Sequence, residues 1–303
     1  MMTPDNQTST LSVVIVSWNT RELLDKCLQS LTADAQRSHL STEVIVVDNG
    51  STDGTASMLR ERHPTVQVTE LGENVGFAAA SNVGIRATTG QFVLLLNPDT
   101  VVQPDALNIL RSTIESMPHV GLVSGLLLNP DGSIQSAGYR FPGLTQAFLD
   151  FFPLHPRLME SRLNGRVPSG DGRAPYAVDH PLGACMLVRR CVIERVGLLD
   201  EQYFMYSEEI DWCQRIRAAG WSILIAPNAR IVHFGGQSTA QIHAEMFREL
   251  HRSRAHYFRR YKSRQFLRAV ELMARMASRF NRERSSLLDS AADSYARARD
   301  AHG

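Results

Sequence analysis

The sequence predicts an α/β protein built on an open, mostly parallel sheet flanked by helices. Leu11–Ser17 (LSVVIVS), residues 43–48 (EVIVVD) and residues 91–96 (QFVLLL) are continuous apolar or β-branched runs. Strands of this kind are covered on both faces, as in parallel sheets. Between them, Leu23, Leu24, Cys27, Leu28 and Leu31 recur at three-and-four spacing, and residues 76–88 form a second helical stretch rich in small side chains. Strand–helix–strand alternation implies right-handed crossovers. Residues 66–70 supply a third strand in this series.

The second half reads differently. Residues 129–181 are rich in Pro, Gly and Arg with weak periodicity, a long excursion of the kind that often carries function. Regular structure is expected again at 183–189 (strand), 207–219 (helix), and in two strands at 221–226 and 230–234. Basic helices are expected from 240 onward. The domain reading is a polar, disordered N-terminus (1–10), a core domain (11–239) with halves 11–128 and 129–239, and a helical extension (240–303).

At 303 residues the chain has ample length to bury a core, and a net charge of +1 gives no reason to expect nucleic acid as a partner. The charge is uneven. Residues 245–284 hold twelve Lys/Arg and four Glu, a surplus of eight, which leaves the remainder at −7. No apolar run approaches the roughly 20 residues that span a bilayer, and no signal-peptide pattern opens the chain. Cys27, Cys185, Cys191 and Cys213 have neither zinc nor thioredoxin spacing, so reduced cytosolic thiols are expected.

In open α/β sheets, ligands bind beyond the carboxyl ends of the strands. The exits here are Ser17-Trp18-Asn19, Asp48-Asn49 with the loop through Ser51, Asp53 and Gly54, and Asn97-Pro98-Asp99. Such residues also make plain turns, but three polar exits from one sheet suggest a site. Asp99, at the end of a rigid strand, suits Mg²⁺ or Mn²⁺, which take one or two carboxylates plus substrate phosphates. Asp48 could accept from a pyrimidine ring N–H, while Asp53 equally suits a helix N-cap. Ser207 suits the N-cap of a helix opening with Glu208, Glu209 and Asp211. One of these carboxylates could be a general base, with its pKa lowered by the helix N-terminus. His233 ends a strand beside two glycines and could face a metal or a diphosphate. No dinucleotide, P-loop or hydrolase-elbow motif occurs.

Taken together, VVIVSWN (13–19), VVDNGSTDGT (46–55), NVGFAAASNVGI (74–85), LLLNPDT (94–100), GACMLVRR (183–190), FMYSEEIDWCQRIRAAGW (204–221) and IVHFGG (231–236) resemble the family 2 glycosyltransferases, most of all the bacterial rhamnosyltransferases. The resemblance implies a GT-A fold and inversion at the anomeric carbon. It implies a nucleotide-sugar site of Ser17, Asn19, Asp48, Asn49 and Ser51, with Asn74, Gly76, Asn82 and Asn97 nearby. It also implies a Mn²⁺ or Mg²⁺ ion held by Asp99 near His233. The family base lies in a Glu-Asp pair, which here reads Glu208-Glu209. Glu209 matches the base, with Asp211 the alternative. Processive members carry Gln-x-x-Arg-Trp and membrane spans. This chain reads CQRIRAAGW without spans, so a single sugar addition is expected, from a dTDP- or UDP-sugar (dTDP-L-rhamnose foremost) to a glycan or lipid-linked glycan. A sugar nucleotidyltransferase is the enzymatic alternative, and a degenerate scaffold the non-catalytic one. The basic segment 245–284, with Phe247, Leu250, Tyr257, Phe258, Tyr261, Phe266, Leu267, Val270 and Met273 among its arginines, is expected to touch an anionic membrane surface. That would put a cytoplasmic protein at the inner face of the cell membrane.

Overall fold

The strands are β1 (Leu11–Ser17), β2 (Thr42–Asp48), β3 (Gln67–Glu70), β4 (Phe92–Leu96), β5 (Thr100–Val102), β6 (Val120–Leu128), β7 (Gly138–Tyr139), β8 (Tyr176–Ala177), β9 (His180–Pro181), β10 (Cys185–Arg189) and β11 (Ser222–His233). The helices are α1 (Arg21–Arg37), α2 (Thr55–Arg62), α3 (Phe77–Ala87), α4 (Ala106–Ser116), α5 (Leu144–Phe151), α6 (Pro156–Met159), α7 (Arg190–Val196), α8 (Glu208–Ala218), α9 (His243–Tyr261), α10 (Arg264–Phe280) and α11 (Ser285–Asp300). The computed structural model describes residues 11–135, 138–159, 161–168, 172–235, 243–281 and 284–302. The expected disorder at 1–10 and Gly236 of the IVHFGG motif lie outside these.

The main sheet runs β3-β2-β1-β4-β10-β6-β11-β5, with β8 added against β11. Its first four strands are parallel, as the apolar runs predict. In the second half β10 inserts antiparallel between β4 and β6, and β11 is parallel to β6 but antiparallel to β5. A mixed second half needs non-local pairing, which periodicity does not report. The two strands expected at 221–226 and 230–234 are one strand, β11, with a register shift between Ala226 and Arg230. Pro227 within the shifted stretch has no N–H to give a ladder.

Small residues in α3 have a packing cause. A Cβ on Gly84 would sit 2.3 Å from Val14 Cγ1, so only glycine lets α3 cross β1 this closely. The main core lies between the sheet and its covering helices, and includes Val13, Ile15, Leu94, Leu187, Trp212 and Ile225. A second core joins α5 to α9, α10 and α11 through Phe151, Tyr203, Ile210, Tyr257, Phe258, Leu267, Val270 and Tyr295. The excursion 129–181 thus contains a helix, α5, which docks on the C-terminal helices. Among the described residues no helix is long and apolar enough to cross a membrane.

Candidate active site

The parallel half delivers its strand ends to one edge. Asn49 N–H donates to Ser17 O at 2.8 Å, so the exits of β1 and β2 lie side by side. Their loops are then cross-linked. Asn19 N–H donates to Ser51 Oγ (3.0 Å), Thr52 N–H to Asn19 Oδ1 (2.8 Å), and Ser51 N–H to Asp48 Oδ1 (3.0 Å). Asn49 Nδ2 donates to Asn74 Oδ1 (2.9 Å), and Val75 N–H to Asn49 Oδ1 (3.0 Å), which draws the 74–76 loop to the same edge. Asp48 Oδ2 keeps no hydrogen-bond partner among the described residues.

Several expected ligand residues are spent on the scaffold. Asn82, a predicted nucleotide neighbour, donates to Leu199 O and Glu201 Oε1 (both 2.9 Å) and accepts from Leu199 N–H (3.0 Å). It is a buried joint between α3 and the 199–201 loop, with both amide hydrogens committed there. Ser17 is fully buried and shares a 3.0 Å bond with Thr20 Oγ1. Asp53 takes the structural role: it accepts from Thr55 N–H and Oγ1 and from Arg21 N–H, tying the starts of α1 and α2. Burial works against its charge, yet these bonds hold its carboxyl below the usual range.

Asn97-Pro98-Asp99 leads from β4 into β5. Antiparallel pairing sets His233 opposite Thr100, and Phe234 N–H donates to Asp99 O at 2.9 Å. His233 Nε2 consequently lies 3.4 Å from Asp99 Oδ1, with both side chains nearly buried. On the other side of the ring, His233 Nδ1 is 2.8 Å from Gln135 Oε1, while Gln135 Nε2 donates to Asn129 Oδ1 at 3.0 Å. Sequence reasoning missed Gln135: it lies 98 residues from His233, in a turn with no local signal. Asp99 and His233 suit a divalent cation that completes its shell with substrate phosphates. Among the described residues no cluster of three or more His, Cys, Asp or Glu could hold a metal alone.

The helix carrying the acids starts beside this turn. Asn97 N–H donates to Ala184 O (3.0 Å), and the adjacent Gly183 packs on Glu209, 3.6 Å from its Cγ measured from an ideal Cβ. Gly76, at φ 89°, is pressed onto Phe204, where any Cβ would lie 2.5 Å from the carbonyl oxygen. Phe77 N–H donates to that oxygen at 2.7 Å. Gly76 therefore anchors the approach to α8. Ser207 does not cap α8 with its side chain: it and Tyr206 both adopt left-handed φ of 68°. Consecutive non-glycine residues there are strained and mark sites under constraint.

Of the three acids, Asp211 is fully buried and fully engaged. Oδ2 accepts from Arg215 Nε (2.8 Å), and Oδ1 accepts from Tyr261 Oη (2.7 Å) and lies 3.2 Å from Arg260. Arg215 in turn donates to Val196 O and Leu198 O. Asp211 is a hub joining α8 to α9 and the 196–198 loop, with both carboxylate oxygens engaged there. Glu208 and Glu209 each keep one buried carboxylate oxygen without a partner among the described residues. Burial pushes Glu209 up to about 7, against the lowering effect of first-turn backbone N–H groups. The expectation that the helix start would lower this pKa is therefore reversed: desolvation outweighs the helix. Burial and the nearby Glu209 and Glu249 raise Glu208 well above the carboxylate range. The four cysteines are unpaired, and only Cys191 is exposed.

Comparison with known proteins identifies the family and the fold. The family described as "Glycosyltransferase like family 2" matches residues 8–251. N-acetylglucosaminyl-diphospho-decaprenol L-rhamnosyltransferase of Mycobacterium tuberculosis is 30% identical over 263 residues, 81% of this chain and 83% of the relative. Rhamnosyltransferase WbbL of Escherichia coli K12 is 25% identical over 246 residues, 78% of this chain and 88% of the relative. In fold, the chain resembles the mannosyltransferase PcManGT of Pyrobaculum calidifontis, solved with GDP-Man and Mn²⁺ (TM-score 0.59, 20% identity, 97% of this chain and 76% of that one). It also resembles GalNAc-T7 with UDP, GalNAc and Mn²⁺ (TM-score 0.58, 19% identity, 82% and 48%). The fold is GT-A, and the chain belongs to glycosyltransferase family 2, as an enzyme that transfers a sugar.

Proposed function

We propose that the protein is an inverting, non-processive rhamnosyltransferase that moves L-rhamnose from dTDP-L-rhamnose to a lipid-linked glycan at the inner face of the cell membrane. The observation that carries the reading is Glu209: a carboxylate oxygen without a partner, packed on Gly183 next to the Asp99 turn, with a pKa near 7. The donor and acceptor classes are drawn from the similarity to the mycobacterial and E. coli rhamnosyltransferases.

In this reading Asp48 Oδ2 accepts the pyrimidine ring N–H, with Asn19, Asn49, Ser51, Asn74 and Asn97 shaping the surrounding edge. Asp99 and His233 are the residues that would hold Mn²⁺ or Mg²⁺, which when bound supplies positive charge beside the departing diphosphate. Glu209 takes the proton of the acceptor hydroxyl as that oxygen bonds to the anomeric carbon and the bond to diphosphate breaks. Burial and the neighbouring Glu209 disfavour the charge on Glu208, so Glu209 is assigned as the base. The test is a donor screen with dTDP-, UDP- and GDP-sugars, with and without EDTA, and with a polyprenyl-diphosphate glycan as acceptor. Turnover restricted to dTDP-rhamnose and abolished by EDTA is expected; turnover of another donor alone would overturn the donor assignment.

A further inference from the structure

The aromatic residues expected to meet lipid are turned toward the second core. Tyr257, Phe258, Leu267 and Val270 are buried in the second core, and Phe247, Tyr261, Phe266 and Met273 pack against it. The outward face of α10 has a different composition. Arg268, Leu272, Met276 and Phe280 follow one another at four-residue intervals, so they form a single row along the helix. Leu272 is 58% exposed and Phe280 83%. Arg275 and Arg279, also exposed, stand in the adjoining row. Single exposed apolar residues are ordinary, but three in line on one helix are a patch.

The charge on this helix is one-sided. Its single acid, Glu271, is turned inward at 12% exposure and pairs with Arg275 and Arg299. Arg268 and Arg279 form no ion pair among the described residues. The face thus offers an apolar row beside Arg268 and Arg279, with Arg275 shared between Glu271 and Asp293, the composition of helices that lie in a lipid interface with cations at the headgroups. A second copy of the chain is a poorer occupant, because a two-fold contact through this face would set arginines against arginines.

We infer that the Arg268–Leu272–Met276–Phe280 row of α10, with Arg275 and Arg279, is the surface on which this protein docks to an anionic lipid bilayer. The placement suits a lipid-linked acceptor, and to that extent rests on the reading above. Four residues beyond Phe280, Arg284 lies over the Phe247 ring at 5.3 Å. Both border an open cleft of about 470 Å³ that Tyr206 also lines, three residues before Glu209. Docking through α10 brings this cleft, and the start of α8 behind it, to the membrane.

The experiment is co-sedimentation of the full chain with phosphatidylcholine vesicles, with and without phosphatidylglycerol. Two variants are compared, L272S/M276S/F280S and R268E/R279E, each checked for folding by circular dichroism. The parent is expected to pellet only with anionic vesicles and to be released by salt, and both variants to bind about tenfold more weakly or less. Salt-insensitive binding to neutral vesicles would overturn the inference, as would folded variants that bind like the parent. So would a parent that dimerises through these residues and ignores vesicles. Transfer from dTDP-rhamnose measured on the same samples separates the two readings: vesicle binding without that transfer defeats the rhamnosyltransferase reading and leaves the docking surface standing.

Discussion

His233 Nδ1 and Gln135 Oε1 are 2.8 Å apart, across 98 residues of sequence. Because Gln135 Nε2 is committed to Asn129 Oδ1, its carbonyl is left to accept, which puts the imidazole proton on Nδ1. Nε2 then presents its lone pair toward Asp99, as a metal-facing histidine requires. Gln135→Leu is expected to weaken Mn²⁺ binding about tenfold or more, read by titration calorimetry with a nucleoside diphosphate present. Unchanged affinity would show that His233 needs no such partner.

Asp99 is expected to matter for affinity and chemistry together. Asp99→Ala should abolish Mn²⁺ binding and lower turnover by about a hundredfold or more. Full activity in this variant would remove the Asn97-Pro98-Asp99 turn from the mechanism.

Glu209 and Asp211, two positions apart on α8, should respond in opposite ways. Removing one partner of a buried ion pair leaves the others uncompensated, so Asp211→Asn is expected to cost about 3 kcal/mol in a urea melt. Glu209→Gln should leave the fold intact and lower kcat by about a hundredfold or more. An Asp211→Asn protein of parental stability, or an active Glu209→Gln enzyme, would exchange their roles.

The raised pKa of Glu209 makes two pH claims. As a base it must be ionised, so turnover is expected to rise as pH increases through about 7. The stability sign is the reverse. From the ordinary 4.5 up to about 7 the folded chain keeps a proton that the unfolded chain has released, so this group's contribution to stability falls as pH rises through that window. Glu209→Gln should therefore be more stable than the parent at pH 8 by about 3 kcal/mol, and indistinguishable near pH 4. A pH-independent difference would exclude the carboxylate as its cause.

The sequence by itself determined the parallel half of the sheet, the edge where the site forms and most residues at that edge. Those features rest on local patterns: unbroken apolar runs for doubly covered strands, small residues where α3 crosses β1, and polar residues at strand ends. The tertiary structure decided which of the polar residues remain available. Asn82 looks like a ligand until Leu199, 117 positions away, takes its amide. Asp211 looks like a base until Tyr261 and Arg260, from α9 of the second core, occupy Oδ1. The basic segment followed the same rule, its aromatics turned into a core shared with α5 and a separate row of α10 left facing outward. Hydrogen-bonding capacity and burial are set by partners distant in sequence, so a residue's type announces what it can do while only the fold leaves it free to do it.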